Sequence, residues 1–178
     1  MLKEKCKDLS LIKYWVLDVD GTLTDGSVYY DDADNEIKKF SVKDGIIFDI
    51  LQNCNMVAIV LTGRKCHATE YRMSELHVQH IFQGVKSKYD FLKEFMESNK
   101  IHKEEVGYIG DDLNDLHAMS LAGFIGCPAD ACSEAKMRAD YISKLRGGYG
   151  AVRDVIEFVL KERGEWENII SKMYEDGQ

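Results

Sequence analysis

The stretch Trp15-Val16-Leu17-Asp18-Val19-Asp20-Gly21-Thr22-Leu23-Thr24-Asp25-Gly26 decides how this chain is read, because an apolar run delivers two carboxylates into a glycine-containing turn. Residues 11–19 are rich in apolar and β-branched types and predict a buried strand, with Asp18 and Asp20 at its C-terminal end pointing the same way. Two carboxylates that close repel, and a cation between them or a proton on one of them relieves the repulsion. Either arrangement makes a reactive site. The plainer alternative is a turn in which both side chains only cap backbone amides.

Three later segments repeat the design of apolar strand, polar loop and helix. Residues 56–61 end in Thr62-Gly63-Arg64-Lys65, where a hydroxyl, a glycine open to close approach and a planar guanidinium suit an anion. A helix start at Thr62 accounts for the same residues without chemistry. Residues 78–82 lead through Gln83-Gly84-Val85-Lys86-Ser87-Lys88 into an amphipathic helix reaching about Asn99, and by themselves these lysines read as ordinary solvated residues at a helix start. Residues 106–109 end in Gly110-Asp111-Asp112-Leu113-Asn114-Asp115. Helix capping explains one or two of these carboxylates but not three, and an all-oxygen ligand set suits Mg²⁺. Strands that alternate with helices gather their loops at the carboxyl edge of a parallel sheet.

The rest of the chain bounds the answer. At 178 residues with 45% hydrophobic content it predicts one α/β domain over 1–178. Between the first two loops, residues 27–30 and 37–40 flank a polar turn and read as a β-hairpin flap at about 26–41. A short strand at 124–126, a loop at Pro128 and helices over 151–161 and 165–174 complete the pattern. No stretch reaches the roughly 18 apolar residues of a membrane span, and the amino terminus lacks a secretory apolar core. The expectation is a cytoplasmic protein with no membrane partner. A net charge of -8 and a pI near 5.1 argue against a nucleic-acid partner. The five cysteines are odd in number and scattered, which suits reduced thiols. His77 and His80 lack a second ligand pair for zinc.

The strings Asp18-Val19-Asp20-Gly21-Thr22-Leu23, Thr62-Gly63-Arg64, Lys88 and Gly110-Asp111-Asp112 resemble, in order, the four motifs of the haloacid dehalogenase superfamily. That resemblance implies a Rossmann-like three-layer α/β sandwich around a central parallel sheet. Its members are mostly phosphatases working through an aspartyl-phosphate. It implies Asp18 as nucleophile, Asp20 as acid and then base, Thr62 and Lys88 holding the phosphoryl group, and Mg²⁺ held by Asp18, the Asp20 carbonyl and Asp111. Asp112 and Asp115 would lie close to the metal, and Gly63, Arg64 and Lys86 would meet the substrate, Lys86 being the second candidate for the motif lysine.

Only a hairpin stands where larger members carry a cap domain, so the site is open, and a neighbouring subunit can exclude water. Lys43-Asp44-Gly45, Gln83-Gly84 and Gly147-Gly148-Tyr149-Gly150-Ala151-Val152-Arg153 narrow the resemblance to capless 3-deoxy-D-manno-octulosonate 8-phosphate phosphatases, which are tetramers. Tyr149 stands where an arginine is frequent in that group. The late glycines read either as part of the site entrance or as a flexible helix entry. The same group includes phosphatases of nine-carbon 2-keto-3-deoxy sugar acid 9-phosphates. A reading of another class is a non-catalytic domain of the kind attached to acylneuraminate cytidylyltransferases. The expected partner is a small sugar phosphate, with a homotetramer as the assembly.

Overall fold

The computed structural model describes residues 7–175; Cys6 and the two extreme ends of the 1–178 span lie outside the described residues. The chain runs β1 (Tyr14–Leu17), β2 (Tyr29–Tyr30), β3 (Glu36–Ile37), α1 (Val42–Asn53), β4 (Val57–Leu61), α2 (His67–Glu75), β5 (His80–Phe82) and α3 (Lys88–Asn99). It continues through β6 (Val106–Ile109), α4 (Leu116–Met119), β7 (Phe124–Cys127), α5 (Ser133–Arg138), β8 (Tyr141–Ile142), α6 (Ala151–Glu162) and α7 (Trp166–Ile170). Six strands form one parallel sheet in the order β5-β4-β1-β6-β7-β8, and β2 pairs with β3 as a separate antiparallel hairpin.

Alternation along β1 builds both layers. Trp15 and Leu17 face a core shared with Ile47, Phe48 and Leu51 of α1 and Val155, Ile156 and Val159 of α6. Val16 faces the opposite core, with Leu92 and Met96 of α3, Ala118 of α4 and Ala135 of α5. The α6 stripe Val152, Val155, Ile156, Val159 and Leu160 is buried at helical spacing.

Register sets the level of the site. Residues of β1 pair one for one with β4 from Val57 to Val60 and with β6 from Val106 to Ile109, so the loops after these strands leave the sheet side by side. The chain runs outward from β1 through β4 to β5, then crosses back to β6 on the other flank of β1. A crevice opens at such a reversal, outside the carboxyl ends of the strands.

The structure corrects several boundaries. β1 ends at Leu17, not at Val19, and Val19–Leu23 forms a tight turn in which Asp20 and Gly21 leave helical backbone angles. Asp20 therefore lies on this turn and not on the strand with Asp18, and its carboxylate pairs with Lys38 of the hairpin. The hairpin strands are two residues each, with a further bridge between Thr24 and Phe40. The expected helix over 165–174 is α7 followed by a π turn at Ser171–Glu175. Cys54, Cys66, Cys127 and Cys132 are free thiols.

Candidate active site

Asp18 follows directly on β1, and its backbone N–H still bonds to the Ile109 carbonyl of β6 at 3.0 Å. That bond extends the ladder by one residue and plants the carboxylate at the sheet edge, 3% exposed. The next residues reverse direction through Gly21, whose φ of 95° is costly for any residue with a Cβ. A Cβ there would also stand 2.0 Å from Asp111 Oδ2, so the glycine lets the first and fourth loops touch. Thr22 stitches the same junction by donating its hydroxyl to Asp111 Oδ1 at 3.0 Å.

Lys88 opens α3, and its buried side chain reaches across to this edge. Its ammonium donates to Asp18 Oδ1 and, at 2.7 Å, to Asp115 Oδ1. Asp115 is fully buried and accepts further bonds from Tyr108 Oη (2.8 Å) and from the backbone N–H groups of Asp111 (3.0 Å) and Asp112 (3.3 Å). It anchors Lys88 from behind. Lys86 is exposed on the loop before α3, which leaves Lys88 as the lysine of this cluster.

Asp18, Asp111 and Asp115 each offer an oxygen within 4.8 Å of the others. Three carboxylates against one ammonium leave net negative charge in a buried site. Burial, then the neighbouring Asp115, pushes the Asp18 carboxyl well above its ordinary range. The same two causes raise Asp111 to about 6. Burial alone would lower Lys88, but Asp18 and Asp115 outweigh it and hold the ammonium above its usual range. Crowded, all-oxygen and electron-rich, the cluster suits a small hard cation such as Mg²⁺. Asp112, expected beside the metal, is exposed, and its carboxylate accepts from Leu113 N at 2.8 Å, so it stands outside the cluster.

Thr62 is buried just past β4, while α2 begins only at His67, which removes the helix-start reading. Its hydroxyl accepts from Arg64 N at 3.3 Å, and its carbonyl accepts from Val85 N at 3.1 Å. Gln83 ties the same two loops by accepting from Cys66 N at 2.9 Å. Gly63 is exposed at this turn. Arg64, expected to be free for substrate, is half-exposed and bonded to Glu36 of the hairpin at 2.8 Å.

Sequence reasoning missed Thr22, Tyr108, Glu36 and Lys38. Lys38 Nζ, on the hairpin, donates to Asp20 Oδ1. Only Thr22 had a visible signal, from its place inside the first motif. Tyr108 lies within a strand with nothing in sequence to mark it, and the hairpin reads in sequence only as two short strands around a polar turn.

The late glycines both touch the first loop and lead into α6, whose N-cap is Gly150. Gly148 N donates to the Thr22 carbonyl at 3.1 Å, and a Cβ on Gly147 would meet the Gly21 carbonyl oxygen at 1.8 Å. The segment therefore lies directly on the loop that carries Asp20. Asp44 fixes it from the other side, accepting from Gly150 N (3.0 Å) and Arg153 N (2.9 Å). This links the Lys43-Asp44-Gly45 string to the glycines.

The profile of the haloacid dehalogenase-like hydrolase family matches residues 65–156. A 3-deoxy-D-manno-octulosonate 8-phosphate phosphatase, KdsC, of Salmonella typhi is 36% identical over 154 residues, covering 86% of this chain and 82% of the relative. The crystal structure of the phosphatase of that name from Moraxella catarrhalis, in complex with magnesium, phosphate and KDO, superposes with a TM-score of 0.88. It is 35% identical, and the match covers 92% of this chain and 94% of that one. A cobalt-bound deoxy-D-mannose-octulosonate 8-phosphate phosphatase from Haemophilus influenzae has a TM-score of 0.83 at 33% identity, covering 89% of this chain and 92% of that one.

Proposed function

We infer that this chain, which belongs to the haloacid dehalogenase-like hydrolases and to their capless 3-deoxy-D-manno-octulosonate 8-phosphate phosphatase-like group, hydrolyses that sugar-acid phosphate to KDO and phosphate. The observation that carries the reading is the grip of Lys88 on Asp18 inside an acidic cluster. A carboxylate so placed can act as a nucleophile toward phosphorus while the lysine offsets the charge of the phosphoryl oxygens.

Asp18 attacks phosphorus in line, and the bond from phosphorus to the sugar oxygen breaks as Asp20 gives that oxygen a proton. Asp20 then takes a proton from water, whose oxygen attacks the aspartyl-phosphate, freeing phosphate and regenerating Asp18. Thr62 and backbone N–H groups after Asp18 hold the equatorial oxygens, where charge spreads in a loose transition state. Asp18, the backbone carbonyl of Asp20 and Asp111 would hold Mg²⁺, with Asp115 behind them. When bound, the ion supplies positive charge and a template for the phosphate.

The sugar end meets the rim. Arg64 receives the carboxylate by exchanging it for Glu36, with Gly63, Lys65 and Lys86 at the edge of the same opening. Lys39 lies 3.5 Å over the Tyr149 ring, which supports a cation at this corner of the site. The chain acts as one catalytic domain with the hairpin at about 26–41 as its flap. A two-stranded hairpin is marginal by itself. Val28, Tyr29, Tyr30 and Ile37 expose apolar surface on this one, which supports homotetramer assembly through it. No helix among the described residues is long and apolar enough to cross a membrane, and free thiols support a reducing cytoplasm.

Phosphate release from a panel of eight-carbon and nine-carbon keto-acid phosphates, with Mg²⁺ and with EDTA, tests the reading. A Mg²⁺-dependent preference for the eight-carbon phosphate is expected. A nine-carbon preference replaces the substrate, and no release from any member replaces catalysis by a binding role.

A further inference from the structure

Lys38 belongs to the flap and to none of the four loops that end the parallel strands, yet its side chain is only 2% exposed. Lysine is almost never buried unless paired. This one lies between two carboxylates: Nζ donates to Asp20 Oδ1 and stands 3.4 Å from Glu36 Oε1. Glu36 is itself fixed, because its other carboxylate oxygen takes Arg64 Nη2 at 2.8 Å. Asp20 Oδ2, by contrast, is buried and has no hydrogen-bond partner, the only carboxylate oxygen so placed among the described residues. Leaving a buried acceptor unsatisfied costs about 1–3 kcal/mol, so such an atom calls for an explanation.

We propose that Lys38 is a positioning residue for Asp20: by holding Oδ1 it fixes the rotation of the carboxylate and keeps Oδ2 as the atom that exchanges the proton. Oδ2 gives its proton to the departing sugar oxygen as the bond to phosphorus breaks. It then takes one from water as the aspartyl-phosphate is hydrolysed. Glu36 balances the buried ammonium and keeps it from swinging away. The flap thus reaches the chemistry without touching phosphate. This inference rests on the reading of Asp20 as acid and base given above.

A strut that merely holds the hairpin down would predict something different, and leaving groups separate the two. The sugar alkoxide must be protonated as it departs, whereas the phenolate of p-nitrophenyl phosphate leaves without a proton. Lys38→Met is expected to lower kcat on the eight-carbon sugar phosphate by about 10–100-fold with KM little changed. Nitrophenolate release in the first turnover should stay within about threefold of wild type. Lys38→Arg should recover part of the loss, and Lys38→Met should add nothing in an Asp20→Asn background. Glu36→Gln, which leaves Lys38 in place with one partner fewer, should show the same split at smaller size and carries the test if Lys38→Met does not fold. Equal losses on both substrates, a further loss in the Asp20→Asn background, or full activity of Lys38→Met would overturn the proposal. A wild-type protein that releases phosphate from neither substrate would instead overturn the phosphatase reading.

Discussion

Gly147→Ala tests whether the late glycine segment sets the position of the acid–base loop. The new Cβ would stand 1.8 Å from the Gly21 carbonyl oxygen, 2.6 Å from its carbon and 3.0 Å from the Thr24 carbonyl oxygen. All three are backbone atoms, so no side chain can rotate aside. An ordinary C···O contact needs about 3.3 Å, so the two segments must part by about 1.5 Å. Gly147 cannot simply retreat, because its N–H is bonded to Asp130 Oδ1 (2.9 Å) and the next N–H to the Thr22 carbonyl (3.1 Å). Asp20 adjoins Gly21 and moves with it. A displacement of about 1 Å at a reacting group costs on the order of 100-fold in rate. Overpacking costs about 1–3 kcal/mol, which at this chain length lowers Tm by about 2–12 °C. Steady-state kinetics on the sugar phosphate and thermal melting read both effects. Gly164→Ala is the control: nothing lies within 4 Å of the new Cβ, and only the φ of 68° at that position opposes it. It should lose about 1 kcal/mol of stability and no kcat. A Gly147→Ala enzyme whose kcat stays within about threefold of wild type would refute the claim that this contact positions Asp20.

Lys88→Met should lower stability by about 3–5 kcal/mol, since it strands Asp18 and Asp115, both buried, without their cation. The corresponding loss of Tm is on the order of 6–20 °C, activity should fall by about 1,000-fold, and an unchanged Tm would remove the pair from the account. Mg²⁺ binding should depend on pH through Asp111. Its carboxyl is raised to about 6 in the metal-free fold, so the stability it lends there is complete below about pH 4 and lost as pH rises through about 6. Binding of the ion needs the ionised form. Calorimetric Mg²⁺ affinity should therefore rise with pH across that window, by up to about tenfold per unit, and a flat profile would count against Asp111 as a ligand.

Much of the site was legible because each motif sits where an apolar strand stops, and strand ends are visible as breaks in hydrophobicity. Asp18, Thr62, Lys88 and Asp111 came from four separate places and converge at one edge because the register of β1 with β4 and β6 is flush. The turn at Val19–Leu23 was not legible, since Val19 reads as one more strand residue and only Gly21 marks the reversal. Charge pairing across distant segments was invisible for a different reason. Glu36 and Lys38 read only as parts of a hairpin with a polar turn and Arg64 as a group for the substrate, and the docked hairpin is what makes them partners. Asp112 is exposed and bonded to Leu113 N, a local geometry that its place beside Asp111 in sequence did not reveal.

The central claim is that Asp18 carries phosphate from the sugar acid to water. Rapid quench of wild type and Asp18→Asn with 3-deoxy-D-manno-octulosonate 8-phosphate and Mg²⁺, followed by mass analysis of the peptide containing Asp18, tests it most directly. The account predicts a phosphoryl adduct on Asp18 in wild type, formed and lost at the rate of phosphate release, and neither adduct nor release in Asp18→Asn or in EDTA. Phosphate release by Asp18→Asn at the wild-type rate would contradict it.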